Sequence, residues 1–153
     1  MREGKSKLRY TLQDYSLVTV DLVRGKEVWR IVSAGAYRPL DIIKKDPARL
    51  KLFVSYCALL SRLLHGEGRD QELFDEIARV ADFIERETIP KELTLSFETL
   101  ATLRVLAHLG YVDGATYEKF LDTDAYSVNI LEEFEKIRPT VLHKINDALN
   151  ASH

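Results

Sequence analysis

The residues best suited to chemistry are cations interleaved with aromatic rings in the N-terminal third of the chain. The aromatic residues are Tyr10, Tyr15 and Trp29, and the cations are Lys5, Lys7, Arg9, Arg24, Lys26 and Arg30. Basic side chains can meet phosphates while aromatic faces stack on bases, and single-stranded nucleic acid requires both. The pattern therefore predicts a surface that binds single-stranded nucleic acid through these six cations.

The charge distribution of the whole chain favours the same interpretation. Residues 1 to 53 hold 12 Lys and Arg against 6 Asp and Glu, whereas residues 54 to 153 hold 10 against 18. Such an asymmetry within one chain is a hint of a face that binds polyanions. Two plainer interpretations stay open: an ordinary solvated surface for the charges, and a position in the core for Trp29.

Catalytic and metal-binding patterns are not found in the sequence. The histidines stand far apart, at His65, His108, His143 and His153, and a single cysteine, Cys57, excludes both an internal disulfide and a multi-cysteine zinc site. Cys57 is interpreted as a buried small hydrophobe. The acidic groups are expected on solvated helix faces: Asp122, Asp124, Glu132, Glu133 and Glu135. We therefore expect no enzyme, no metal and no cofactor.

A β-hairpin is predicted to position the cations. Leu17 to Val23 and Glu27 to Ser33 read as strands, and the turn between them contains Gly25, which accepts a positive φ freely. Residues 5 to 9 alternate basic and other side chains, so an extended segment there would carry its charges on one side. A single hairpin is marginally stable in water, so its apolar face must find a partner surface.

Helical periodicity replaces the strand pattern after a connector at residues 34 to 45. A first helix begins at Asp46 and Pro47, ends near Gly66, and is expected to be the most buried. A second helix is capped by Asp70 and stops before Pro90, a third runs from about Glu92 to Leu109 with Gly110 as its stop, and shorter helices follow. The predicted fold is mainly α, with a β-hairpin domain at residues 1–36 and a helical bundle at residues 37–153.

Four segments in this order resemble the DNA repair and recombination mediator RecO. They are SKLR, LQDYSLVTVDLVRGKEVWRIVSA, LLSRLLHGE and LGY, and the resemblance extends over nearly the whole chain. The resemblance implies an N-terminal OB-fold that binds and anneals DNA, followed by a helical domain. It also implies binding to RecR and to the C-terminal tail of the single-stranded-DNA-binding protein SSB. The hairpin matches the last two strands of that OB-fold, remnants of a larger barrel.

The chain departs from the family pattern in two places. No four-cysteine zinc motif follows LGY, so this end is similar to the zinc-free members of the family. The first strands of the OB-fold have no counterpart, so we expect the chain to be an N-terminally truncated form. A natural minimal form is the alternative, with the hairpin lying on the helices or self-associating through its unpaired edge.

Two other functional classes remain. The first is a helical interaction module that binds a partner protein's tail and no DNA, and the second is a hydrolase or transferase with an unrecognised site. The sequence lacks a signal peptide and any apolar run long enough for a membrane span, which predicts a cytoplasmic location and no membrane partner.

Overall fold

The computed structural model describes residues 8–66, 68–122 and 125–151. The chain divides into two units, Met1–Pro47 and Ala48–His153. Within the described residues the structure is mainly helical, and its β-structure is one two-stranded antiparallel sheet. These findings confirm the predicted mainly α class with a hairpin. In the same ranges, no helix is both long and apolar enough to cross a bilayer.

The N-terminal unit contains a helical turn at residues 8–11, strand β1 (Ser16–Arg24), strand β2 (Trp29–Pro39) and helix α1 (Asp41–Lys45). Arg9 lies in the helical turn, so the alignment of charges that an extended segment would give does not apply at this residue, and Lys5 and Lys7 lie outside the described residues. The prediction of a connector at residues 34 to 45 is wrong for its first residues, which belong to strand β2. Strand pairing continues through them because the partner strand β1 begins at Ser16, opposite Pro39.

The loop between the strands spans residues 25–28 and closes with a hydrogen bond from the Gly25 N–H to the Val28 carbonyl at 2.9 Å. The prediction that Gly25 supplies a positive φ is wrong, because its φ lies outside the left-handed region. Space explains the glycine instead. A Cβ atom at this position would lie 2.9 Å from the Val28 oxygen, closer than real Cβ contacts allow.

The register of the hairpin contains two β-bulges, and both extra residues lie on β2. Pairing passes from Asp21↔Ser33 to Leu22↔Ile31, so Val32 is the extra residue. At the second bulge, pairing passes from Leu17↔Arg38 to Val18↔Ala36, so Tyr37 is the extra residue. β1 remains regular along its length, while the bulges bend β2 and increase the local twist.

The second unit consists of helices and two short 3₁₀ segments. The α-helices are α2 (Pro47–Leu63), α3 (Gln71–Arg86), α4 (Thr94–His108), α5 (Glu118–Leu121), α6 (Val128–Glu135) and α7 (Arg138–Ala151), and the 3₁₀ segments are Lys91–Leu93 and Gly114–Tyr117. Pro47 opens α2, as the sequence predicts. The predicted stops before Pro90 and at Gly110 are confirmed as well.

Helix α4 forms the centre of this unit. It packs against α3, α6 and α7, and its Leu100, Leu103 and Leu106 have no exposed surface. The prediction that α2 is the most buried helix is wrong, because only Phe53, Tyr56 and Leu60 are buried along it. Cys57 is likewise half-buried rather than buried. Apolar residues cover much of the surface of α2, but fewer helices pack against α2 than against α4.

Local hydrogen bonds define the helix ends. The Asp70 carboxylate accepts from the Leu73 N–H at 2.9 Å and caps α3, and the Ser127 hydroxyl accepts from the Ile130 N–H and caps α6. Helix α4 ends in a Schellman motif around Gly110, whose φ is +77°. The Gly110 and Tyr111 N–H groups donate to the carbonyls of Ala107 and Leu106.

Two leucines of α4 provide a matched test of this packing. Leu100→Ala should lower the free energy of unfolding by about 2–5 kcal/mol, because the truncation leaves a cavity at a site without solvent exposure. Leu95 is 45% exposed, so Leu95→Ala should cost below about 1 kcal/mol. Urea denaturation followed by helical circular dichroism measures both. Equal losses would mean that α4 is not the centre of the unit.

Candidate nucleic-acid interface

The hairpin has two chemically different faces. Directly paired residues share a face of a sheet, and side chains alternate along each strand. The register therefore defines the Trp29 face as Val18, Val20, Leu22, Arg24, Trp29, Ile31, Ala34 and Ala36. The opposite face holds Leu17, Thr19, Asp21, Val23, Arg30, Ser33, Gly35 and Arg38. A hydrogen bond from Ser33 to Asp21 on that face agrees with the assignment.

Arg24 and Trp29 form the clearest pair on the Trp29 face. They are direct cross-strand partners at the end of the ladder, and the Arg24 guanidinium carbon lies 5.5 Å from the indole centroid. Such a cation–π contact contributes about 0.5–1 kcal/mol at an exposed site. Trp29 is 45% exposed, so the interpretation of this residue as core is wrong. The pair combines an aromatic surface with a positive charge at a solvent-accessible position.

The structure brings only part of the predicted set together. Lys26 is exposed in the loop beside the Arg24–Trp29 pair. Arg30 is exposed too, but it pairs with Val23 and so belongs to the opposite face. Arg9 is exposed in the helical turn at residues 8–11, and Lys5 and Lys7 lie outside the described residues. The six predicted cations therefore do not form one continuous row in the described structure.

Exposed tyrosines add further aromatic surface to the N-terminal unit. Tyr10 is 78% exposed, and Tyr15 precedes β1 with a φ of +56°, an uncommon value for a bulky residue. Tyr37 is 63% exposed, and the sequence reasoning did not select it. Tyr37 is the extra residue of a β-bulge, and no feature of the sequence marks the position of that bulge.

A buried polar cluster in the helical unit was also missed. Tyr126 donates to Glu76, which also accepts from the Arg79 Nε at 3.0 Å. The Arg104 guanidinium lies over the Tyr126 ring, 4.2 Å from its centroid, and donates from Nε to the Phe120 carbonyl at 3.0 Å. Two signals were available in the sequence. Glu76 interrupts the apolar face of α3, and Arg104 is the one charged residue in the segment Leu100–Ala107, where Thr102 is the only other polar residue.

The phenol of Tyr126 belongs to this cluster and the phenol of Tyr56 lies near it, and both are held in the neutral form. Burial, followed by the negative charge of Glu76, raises the pKa of Tyr126 well above its ordinary value. The same causes in the same order raise the pKa of Tyr56. Among the described residues, the Tyr56 hydroxyl is buried and has no hydrogen-bond partner. Neutral phenols with raised pKa values are poor general bases, so the cluster is suited to holding helices together.

An open cleft of about 490 Å³ adjoins the cluster and mixes both signs of charge. Its lining includes Glu72, Asp75, Arg79, Arg104 and His108. At its rim, the His108 Nε2 lies 2.7 Å from an Asp70 carboxylate oxygen. Because cations and carboxylates neutralise one another across this cleft, it does not present a single sign of charge to a polyanion.

The carboxylates predicted on solvated faces behave differently from one another. Glu132, Glu133 and Asp122 are exposed, as predicted, and Asp124 lies outside the described residues. Glu135 departs from the prediction because it is half-buried and paired: Arg138 donates to both of its oxygens, at 2.9 and 3.0 Å. These bonds, followed by one from Ser96, lower the pKa of Glu135 to about 2.

The described residues contain no cluster of three or more His, Cys, Asp or Glu side chains that could hold a metal ion. Burial raises the pKa of the Cys57 thiol, which disfavours the thiolate that a nucleophile requires. Arg24, Trp29 and Lys26 therefore remain the best-supported candidate site, and the chemistry it offers is binding.

The chain matches no family model, no curated protein and no solved structure.

The two buried phenols give a matched pair of substitutions. Tyr126→Phe removes a donor to the buried Glu76 and should lower the free energy of unfolding by about 1–3 kcal/mol. Tyr56→Phe removes a hydroxyl that has no partner among the described residues, so it should be neutral or stabilising. Urea titration at neutral pH measures both changes. A larger loss for Tyr56→Phe would contradict this account of the cluster.

The raised pKa values also predict an alkaline dependence. Above pH 10.0, the ordinary tyrosine value, the unfolded chain releases phenolic protons that the folded chain retains, so stability falls as pH rises. Each phenol contributes a slope of roughly 1.4 kcal/mol per pH unit once its unfolded form is ionised. Tyr56→Phe should therefore make the decline above pH 10 shallower than in the parent chain. Equal slopes in denaturant titrations of the two proteins would refute this assignment.

Proposed function

We propose that this chain is a RecO-like mediator of DNA repair and homologous recombination, which binds single-stranded DNA without catalytic chemistry. The observation that carries the proposal is the exposed Trp29 ring with the Arg24 guanidinium beside it. The resemblance of the ordered segments from SKLR to LGY supplies the biological setting. SSB, through its C-terminal tail, and RecR are the proposed protein partners.

Stacking is the central interaction of the proposed site. A base that stacks on an aromatic side chain contributes about 1–3 kcal/mol, and every base has a face that can do so. The Arg24 guanidinium lies over the ring of Trp29, so a base is proposed to stack on the ring surface that Arg24 leaves uncovered, with Arg24 and the exposed Lys26 supplying positive charge for the adjoining phosphates. Arg30 lies on the opposite face, so it can contact the DNA strand only if that strand passes around the loop of the hairpin.

The hairpin is proposed to be the last pair of strands of an OB-fold. Its antiparallel pairing and its two bulges are features of such barrels, which bend their strands to close. An OB barrel has five strands, and the described residues supply two. Binding by this chain alone is therefore proposed to be weaker than binding by a complete barrel.

A groove in the helical unit favours a second candidate function, the docking of a partner protein's tail. The groove has a volume of about 340 Å³ and lies between α2 and α4, with Tyr56, Leu59, Phe97 and Ala101 in its lining. Arg62, at the end of α2, is exposed and lines the same groove. The lining also contains the Glu98 carboxylate, so the groove carries one charge of each sign on a partly apolar surface. Its apolar residues suit an apolar side chain of an extended tail, and Arg62 is the group that would bind a carboxylate of that tail.

The fluorescence of Trp29 tests DNA binding directly, since it is the only tryptophan. We expect an oligo-dT strand to quench it, with an affinity that falls as salt rises. Changing Arg24, Lys26 and Arg30 to Ala should reduce the salt slope by about 0.7 for each phosphate contact removed. The matched control changes three exposed cations of the helical unit, Arg86, Lys91 and Lys136, and should leave the slope unchanged.

Further variants separate the proposed functions. A Lys5, Lys7 and Arg9 triple change to Ala tests the N-terminal segment, and a smaller salt slope would place it in the interface. An unchanged slope in both N-terminal variants would exclude the proposed DNA site. Binding of an acidic peptide that is lost in Arg62→Glu, without any binding of oligo-dT, would favour the tail-docking module.

A further inference from the structure

The two edges of the hairpin are protected to different degrees. An exposed strand edge is a template for pairing with another strand, and proteins block such edges with bulges, prolines and charges. β2 has all three, in the bulge residues Val32 and Tyr37, in Pro39, and in a basic side chain near each end. β1 is nine residues long, has no bulge residue and contains no proline, and its charged residues are Asp21 and Arg24.

The edge of β1 is also open. In the part of the chain that the structure describes, the sheet contains two strands, and β1 has β2 as its one strand partner. Among these residues, the backbone hydrogen bonds outside the helices and the sheet do not involve β1, although Lys44 donates to the Ser16 hydroxyl at 2.8 Å. Val20 at its centre is half-buried, and Leu22 and Val23 are 49% and 54% exposed. A regular edge of this length, with five apolar residues among its nine, is suited to accept a further strand.

We propose that β1 pairs antiparallel with β1 of a second copy of this chain, centred on Val20. The resulting sheet has four strands in the order β2, β1, β1 of the copy and β2 of the copy. Its two-fold axis passes through the facing Val20 residues, perpendicular to the sheet, so the interface is isologous.

The sequence of β1 is complementary to itself in this register. Val18 lies opposite Leu22 of the copy and Leu17 opposite Val23, so apolar side chains meet on both faces. The polar pairs are Thr19 with Asp21 and Ser16 with Arg24, so no two like-charged residues of β1 are directly paired. The Ser16 hydroxyl accepts from Lys44 at 2.8 Å, so this end of the seam carries a second cation near Arg24 of the copy. Aromatic, branched and opposite-charge pairs are the ones that stabilise neighbouring strands.

Pairing of β2 with its own copy lacks this complementarity. Centred on Ala34, it would place Arg30 opposite Arg38 of the copy, and like charges directly opposite are destabilising. Pro39 has no N–H to donate. The charge pattern therefore selects β1 as the pairing edge and a second copy as its occupant.

The four-stranded sheet would carry both Trp29 faces on the same side. The antiparallel register separates the two Arg24 residues by eight strand positions, about 27 Å along the strand direction. One single strand of DNA could then contact both Arg24–Trp29 pairs, a consequence that rests on the proposed function. Dimer formation itself requires no nucleic acid, so its failure in DNA-free solution would leave the proposed function standing.

Sedimentation velocity of the full chain over a range of concentrations tests the proposal. The mass should rise from 17.6 kDa toward twice that value as the concentration increases. Thr19→Asp places a carboxylate opposite Asp21 of the copy at two symmetric positions, and it should raise the dimer dissociation constant roughly tenfold or more. Thr19→Lys places an opposite charge there, so the dimer should persist or become tighter.

Gly35→Asp is the matched control. Gly35 pairs with Thr19 on the same face but lies on β2, away from the proposed seam, and a Cβ atom there meets nothing within 4 Å. This variant should dimerise like the parent chain. A mass of 17.6 kDa at every concentration, or equal effects of Thr19→Asp and Gly35→Asp, would overturn the proposal. A monomer whose β1 amides are protected from hydrogen exchange would also overturn it and show that the edge is covered within one chain.

Discussion

The helical unit depends on the neutralisation of one buried cation. Arg104 is 6% exposed in the middle of α4, and a guanidinium remains charged in a protein interior. Its partners come from different elements: Glu76 from α3, the Phe120 carbonyl from α5 and the ring of Tyr126 from the segment before α6. Removing one member of such a buried pair costs about 3–5 kcal/mol because it leaves the other charge uncompensated. The cluster therefore fixes which elements must surround α4.

The apolar packing of the unit is arranged around the same point. Phe83 and Phe97 lie 5.5 Å apart, and each lies 5.6 Å from Tyr126, so the three rings bring α3, α4 and the segment before α6 together. Helix α2 is joined to α3 by hydrogen bonds. Arg49 donates to the carbonyls of Glu85 and Glu87 at 2.9 Å, where α3 ends and its carbonyls lack intrahelical partners.

Local signals in the sequence predicted the elements well and their burial poorly. Asp70, Pro47 and Gly110 act through hydrogen bonds or backbone angles within a few residues, so their effects are readable from sequence. The ranking of α2 above α4 failed because apolar content does not show how many helices surround a helix. The same limit applies to Glu76 and Arg104, whose contact joins positions far apart in the chain.

Prediction of the candidate site was limited by strand register. The sequence identifies Arg24, Lys26 and Arg30 as basic, but the pairing Arg24↔Trp29 and Val23↔Arg30 decides which face each residue occupies. That pairing depends on the loop, where Gly25 is required by a close approach to Val28. The sequence predicts a tighter turn at Gly25 with the second strand beginning at Glu27. In the structure the loop has four residues, so the second strand begins at Trp29. This start places the indole beside Arg24.

Stacking uses the ring of Trp29, whereas strand pairing uses the backbone edge of β1. A base that stacks on Trp29 approaches along the face normal, whereas another strand approaches β1 in the plane of the sheet, at its edge. The bulges on β2 bend and twist that strand, so its edge is poorly shaped for a flat partner, while the regular β1 keeps its hydrogen-bonding groups in line. The two interactions therefore use different backbone and ring atoms, although Arg24 lies on the paired strand, opposite Ser16 of the copy. A paired hairpin would still present the Trp29 ring to solvent.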